Sequence, residues 1–114
     1  MPTYRKGDVV VILYPFTNGR GSMPRPAVVV SSDAHNAQTN DVLLAQITSN
    51  LTARSRTGDY VLSDWKASGL DVPSKARMGK INTMESGGIR KLLGHLVDVD
   101  LQGLDVGMRA VLGL

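Results

Sequence analysis

Apolar residues fall in short runs along this chain, divided by polar stretches rich in glycine. "GDVVVILYPF", from Gly7, is rich in β-branched residues and predicts a strand. "TNGRGSMPRP", Thr17 to Pro26, has the Asn, Gly, Ser and Pro content of a loop. "AVVVSS", from Ala27, reads as a second strand, too uniformly apolar for an exposed edge. "DAHNAQTND" reads as another polar loop, and "VLLAQITS", Val42 to Ser49, as a third strand ending in two hydroxyl residues. The basic loop "NLTARSRTGD" follows, with Arg54 and Arg56. Beyond it the pattern predicts a short strand at Tyr60 to Leu62 and a turn or short helix around Trp65. A strand near Lys75 to Met84 comes next, then a turn and a last strand within "SGGIRKLLGHL".

The period changes at the C-terminus. In "DVDLQGLDVGMRAVLGL", Leu101, Leu104, Met108, Val111 and Leu112 share one helical face. Asp98 or Asp100 is the expected N-cap. Gly103 and Gly107 each weaken such a helix by roughly 1 kcal/mol relative to alanine, so it needs tertiary packing. Short strands at regular spacing with a terminal helix predict a mainly β fold: a small curved antiparallel sheet or partial barrel. With 114 residues, no repeats and no linker, one domain over residues 1–114 is expected.

Composition narrows the chemistry. The absence of cysteine removes disulfides, thiolate metal sites and cysteine nucleophiles, and fits a reducing cytoplasm. Aromatics are only 4%, so the core must be aliphatic. The apolar N-terminal stretch is broken by Pro15 and reads as a strand, not a signal peptide or a membrane span. A net charge of +3 permits an anionic partner such as RNA or an acidic protein segment.

One local conflict stands out. Arg25 is held between Pro24 and Pro26 at the entrance to the apolar run of Ala27 to Val30. Two explanations fit the residues: a charged gatekeeper beside an aggregation-prone strand, or a cation aimed rigidly at a ligand. Thr48, at a strand end, is a second candidate, because its hydroxyl can donate to an anion. The other reading of Thr48 is a β-former at a strand terminus. Arg20, Arg54, Arg56, Lys75, Arg77 and Lys80 are candidates for an electrostatic track, or else solvated loop charges. His35 and His95 are isolated in sequence and expected to be structural or surface residues, too few for a metal site. Trp65 is expected in the core.

"GDVVVILYPFTNGRGSMPRPAVVVSSD" resembles the opening of the MazF/PemK family of toxin endoribonucleases. "VLLAQITSN", "KINTM" and "GHLVDVDLQGLDVGMRAVLGL" resemble its later strands and C-terminal helix, so the resemblance runs the length of the chain. Its specific parts are Arg25-Pro26 and Ile47-Thr48-Ser49. It implies an SH3-like small β-barrel of CcdB/PemK type, usually a homodimer, that cleaves single-stranded RNA without metal or cofactor. It also implies a cognate antitoxin, expected to be acidic, that occupies the RNA groove.

In that chemistry the substrate's 2′-hydroxyl attacks the adjacent phosphate and expels a 5′-oxygen. In such a reaction Arg25 and Thr48 are the expected catalytic residues, and Arg20, Ser49, Asn50, Arg54 and Arg77 the expected RNA-binding ones. A guanidinium is a poor base, so Arg25 is assigned charge stabilisation first and proton donation second. Some family members carry an acid two positions after an arginine on a later strand. Here Arg77 is followed by Gly79, and no carboxylate base is assigned there. Two other classes fit the same fold: a noncatalytic SH3-like module that binds RNA or an acidic peptide, and a gyrase-poisoning toxin of CcdB type.

Overall fold

The computed structural model describes residues 3–15 and 21–114. Its elements run β1 (Asp8–Pro15), β2 (Ser22–Val29), α1 (Asp33–Gln38), β3 (Asp41–Thr48), β4 (Asp59–Val61), β5 (Lys75–Glu85), β6 (Lys91–His95) and α2 (Asp98–Leu112). The strands form one sheet in the order β4-β5-β3-β2-β1-β6, and each neighbouring pair is antiparallel. The mainly β fold with a C-terminal helix is therefore as the pattern predicts.

The sheet curls into a half-barrel. Asn82 on β5 donates from Nδ2 to the Tyr14 hydroxyl on β1 at 2.7 Å, although β2 and β3 lie between those strands in the sheet. Both faces are covered. Val9, Val28, Ala45, Ile47, Ala76 and Met78 pack on one side with Leu104 of α2. Val10, Ile12, Ala27, Val29, Val42 and Leu44 pack on the other. Successive strand residues point to opposite faces, so an unbroken run such as Ala27–Val29 supplies both cores. Each such side chain contributes roughly 1.5–3 kcal/mol on burial.

Four local expectations are corrected. The loop expected through Pro26 gives way to β2 at Ser22, so Pro24, Arg25 and Pro26 are strand residues. Prolines are tolerated there because that part of β2 pairs with β1 alone, through Leu13↔Pro24, Ile12↔Arg25 and Val11↔Pro26. The polar "DAHNAQ" is not a loop but α1, whose first turn is capped by the Ser32 hydroxyl accepting from His35 N at 3.1 Å.

Neither Asp98 nor Asp100 caps α2; Val97 holds the N-cap position. Asp100 is fully buried instead and accepts from Tyr60 Oη at 2.8 Å, Ser63 N at 2.9 Å, Ser63 Oγ at 2.7 Å and Asp64 N at 3.1 Å. Finally, Leu101, Leu104 and Met108 pack inward as expected, but Leu112 lies 58% exposed because the helix end outruns the sheet.

The two helical glycines have a packing reason. A Cβ on Gly103 would lie 2.1 Å from the Tyr60 ring, and one on Gly107 would lie 3.1 Å from the Gly58 carbonyl. Their absent side chains let α2 approach β4 and β5 closely. Among the described residues, no helix is long and apolar enough to cross a membrane.

Candidate functional site

The sheet is split between β2 and β3 at one end. Their ladder holds only from Val29↔Leu44 to Ala27↔Gln46. Beyond that, Pro26 has no N–H to offer, β2 continues beside β1, and β3 continues beside β5 through Ile47↔Ala76 and Thr48↔Lys75. The opening is a groove of about 500 Å³. Ile47, Leu70 and Leu93 give it an apolar floor, and Arg25, Thr48 and Ser49 stand at its margin.

Arg25 is exposed, and its Nη2 lies 3.0 Å from Met23 Sδ. A thioether is a weak acceptor, so the fork remains available to an anion. Thr48 Oγ1 accepts from Asn50 N at 3.1 Å, which fixes the hydroxyl and leaves its own proton to donate. Ser49 is exposed in the same groove.

Asn50 is less free. Its Oδ1 accepts from Ala53 N at 3.2 Å and from Thr52 Oγ1 at 3.0 Å, shaping the turn. It lines an adjoining hollow of about 420 Å³ with Leu51, Val72 and Pro73.

The other candidate cations, Arg54, Arg56, Lys75, Arg77 and Lys80, do not converge on this groove. Arg54 is exposed on the loop after β3. Arg56, Arg77 and Lys80 line a separate cleft of about 290 Å³ together with Asp59. Arg77 Nε lies 3.5 Å from Asp59 Oδ1.

Lys75 is not part of a surface track, since it is only 1% exposed. Its Nζ lies 3.1 Å from Asp59 Oδ2 and donates to the Ala53 carbonyl at 3.4 Å. Burial alone would raise the Asp59 pKa. Hydrogen bonds from Arg56 N and Lys75, with the charges of Lys75 and Arg77, outweigh it and hold the carboxyl below its ordinary value. Arg20 lies outside the described residues, as does Phe16.

Neither histidine reaches the groove. His35 sits on α1 with Nδ1 3.3 Å from Asn36 Oδ1, and His95 pairs through Nδ1 with Asp8 Oδ1 at 2.8 Å. Trp65 packs against the core as expected, half-buried. The sequence reading missed two charged groups that do line the groove, Asp71 and Lys91. They come from a turn segment and from β6, far from Arg25 in the chain, and no linear spacing links them.

The chain matches the family model described as PemK-like, MazF-like toxin of type II toxin-antitoxin system over residues 5–112. Among curated proteins nothing matches. Solved structures share the fold at low identity. An endoribonuclease from Mycobacterial species is 18% identical with a TM-score of 0.78, covering 100% of this chain and 95% of that one. MazE-MazF from Deinococcus radiodurans gives 18% and 0.77, covering 99% of each chain. A Mycobacterial endoribonuclease in complex with its cognate antitoxin gives 19% and 0.75, covering 97% and 96%. Family match and shared fold agree along nearly the whole chain: it belongs to the PemK-like, MazF-like toxins of type II toxin–antitoxin systems.

Proposed function

We propose that this toxin is an endoribonuclease that cuts single-stranded RNA in the Arg25–Thr48 groove and so blocks translation. One observation carries the reading: a free guanidinium and a fixed hydroxyl stand together where β2 and β3 part, in a chain of this toxin family. The substrate supplies its own nucleophile. Its 2′-oxygen attacks the adjacent phosphorus, the bond to the 5′-oxygen breaks, and a 2′,3′-cyclic phosphate and a 5′-hydroxyl result.

Arg25 holds two phosphoryl oxygens in its planar fork, and Thr48 donates to one of them. Donors preorganised on developing charge contribute about 3–4 kcal/mol each. Ser49, Asn50, Arg54 and Arg77, with Arg20, are assigned to binding along the strand. The apolar floor and the hollow beside Asn50 suit an antitoxin segment with apolar anchors and acidic flanks. Structural relatives include an endoribonuclease bound to its cognate antitoxin, which supports that partner. The working form is a cytoplasmic homodimer of a single domain.

The test is incubation of the purified chain with a long single-stranded RNA in EDTA. Fragments ending in a cyclic phosphate and a 5′-hydroxyl are expected. Activity that required magnesium, or fragments carrying 5′-phosphates, would overturn the mechanism.

A further inference from the structure

The groove holds a phosphate-binding cation and a hydroxyl donor, but the reaction also needs an acceptor for the 2′-proton. Asp71 is the carboxylate that lines the groove with Arg25 and Thr48. The remaining charged groups there are Arg25 from β2 and Lys91 from β6, and both are cations. Three buried carboxylates elsewhere are occupied. Asp59 is held by Lys75 in another cleft, Asp8 by His95 and Arg5 N, and Asp100 by four donors. Residues 16–20, which lie outside the described part, contain neither acid nor histidine.

Asp71 is also presented by a fixed segment. The backbone at Ser68–Gly69 lies directly against that at Leu93–Gly94. A Cβ on Gly69 would be 2.3 Å from the Leu93 carbonyl oxygen, and one on Gly94 would be 2.5 Å from that of Ser68. Leu70 is buried beside it, and Ser74 Oγ donates to the Val72 carbonyl at 2.9 Å. Asp100 binds the start of the same segment at Ser63 and Asp64. The carboxylate itself is exposed and makes no ion pair among the described residues.

We propose that Asp71 is the general base of this toxin. The inference rests on the endoribonuclease reading above. As the 2′-oxygen bonds to phosphorus, its proton passes to the Asp71 carboxylate. The 5′-oxygen departs with the electron pair of the broken P–O bond and takes a proton from solvent water. A positioned carboxylate in this role is worth about 10²–10⁴-fold in rate.

The experiment is single-turnover cleavage of a long RNA by wild type, Asp71→Asn and Asp71→Ala, with and without added formate. The side chain is exposed, so both variants are expected to fold, and circular dichroism checks this. Cleavage should fall about 10²–10⁴-fold in both. Formate should restore Asp71→Ala in proportion to its concentration and leave Asp71→Asn low, because only alanine opens room for the small acid. Undiminished cleavage in the variants, with wild type active, would remove Asp71 and leave the endoribonuclease reading standing. A loss matched by weaker RNA binding and deaf to formate would make Asp71 a binding group and overturn the base assignment. A wild-type protein that cut no RNA would remove the reaction and the base with it.

Discussion

Arg25 and Thr48 each stand two residues past Ala27↔Gln46, the last rung of the β2–β3 ladder, on one face of the sheet. The pair marks where the sheet opens, and the groove gathers around it. Arg25→Lys keeps the charge but loses the planar fork. Thr48→Val keeps shape and strand propensity but loses the donor. Each should lower kcat by about 10²–10³-fold, with a smaller effect on RNA affinity. If both hold one phosphoryl group, the double variant should lose less than the product of the single losses. Single-turnover kinetics with parallel binding titrations measures this; fully multiplicative losses would separate their roles.

The buried Lys75–Asp59 pair predicts an asymmetry in stability. Lys75→Met should cost about 3–5 kcal/mol, because it leaves the buried Asp59 carboxylate with only Arg77 at 3.5 Å as a charge partner and the Arg56 N–H at 3.1 Å. Adding Asp59→Asn should recover part of that loss by removing the stranded charge. Urea denaturation of the three proteins decides it. A double variant no more stable than Lys75→Met would contradict the account.

Asp100 links stability to pH. Burial pushes its pKa up, but the hydrogen bonds from Ser63, Tyr60 and Asp64 outweigh burial and hold it below the ordinary value of 3.8. A carboxyl lowered in the folded state contributes stability that is fully present above its unfolded pKa. That stability is lost as pH falls through the folded value. Wild type should therefore weaken on acidification below about pH 4, and Asp100→Asn should be less stable at pH 7 with a flatter acid limb. Guanidinium melts at pH 7, 4 and 3 test the slope.

Gly103→Ala should destabilise the chain although alanine is the better helix former by about 1 kcal/mol. The new methyl would meet Tyr60 Cε1 at 2.1 Å, and that ring is tied to Asp100. Gly87→Ala, with nothing within 4 Å, is the control expected to melt near wild type. Equal melting temperatures for the two variants would show that α2 yields without cost.

The proposed homodimer predicts a light-scattering mass of twice 12.2 kDa at micromolar concentration. A mass of one chain there would count against it.

Much of the fold was legible because it follows from local periodicity. The β-branched runs at Asp8, Ala27 and Val42 and the helical face of Leu101, Leu104 and Met108 are patterns of alternation and turn, and these need no knowledge of distant residues. Arg25 was legible for a related reason: its flanking prolines are unusual within a few residues of chain. Helix α1 reads as loop in the sequence because its six residues, four polar and two alanines, carry no larger apolar stripe. Burial of Lys75 and Asp100 had no local signal at all. A lysine and an aspartate look solvated until a partner from another strand or loop satisfies them, and those partners, Asp59 and Tyr60 with Ser63, lie 16 and 37–40 positions away. Asp71 entered the groove the same way. Its place depends on Gly69 and Gly94 letting two backbones touch, a fact of packing that becomes visible only when the sheet has curled.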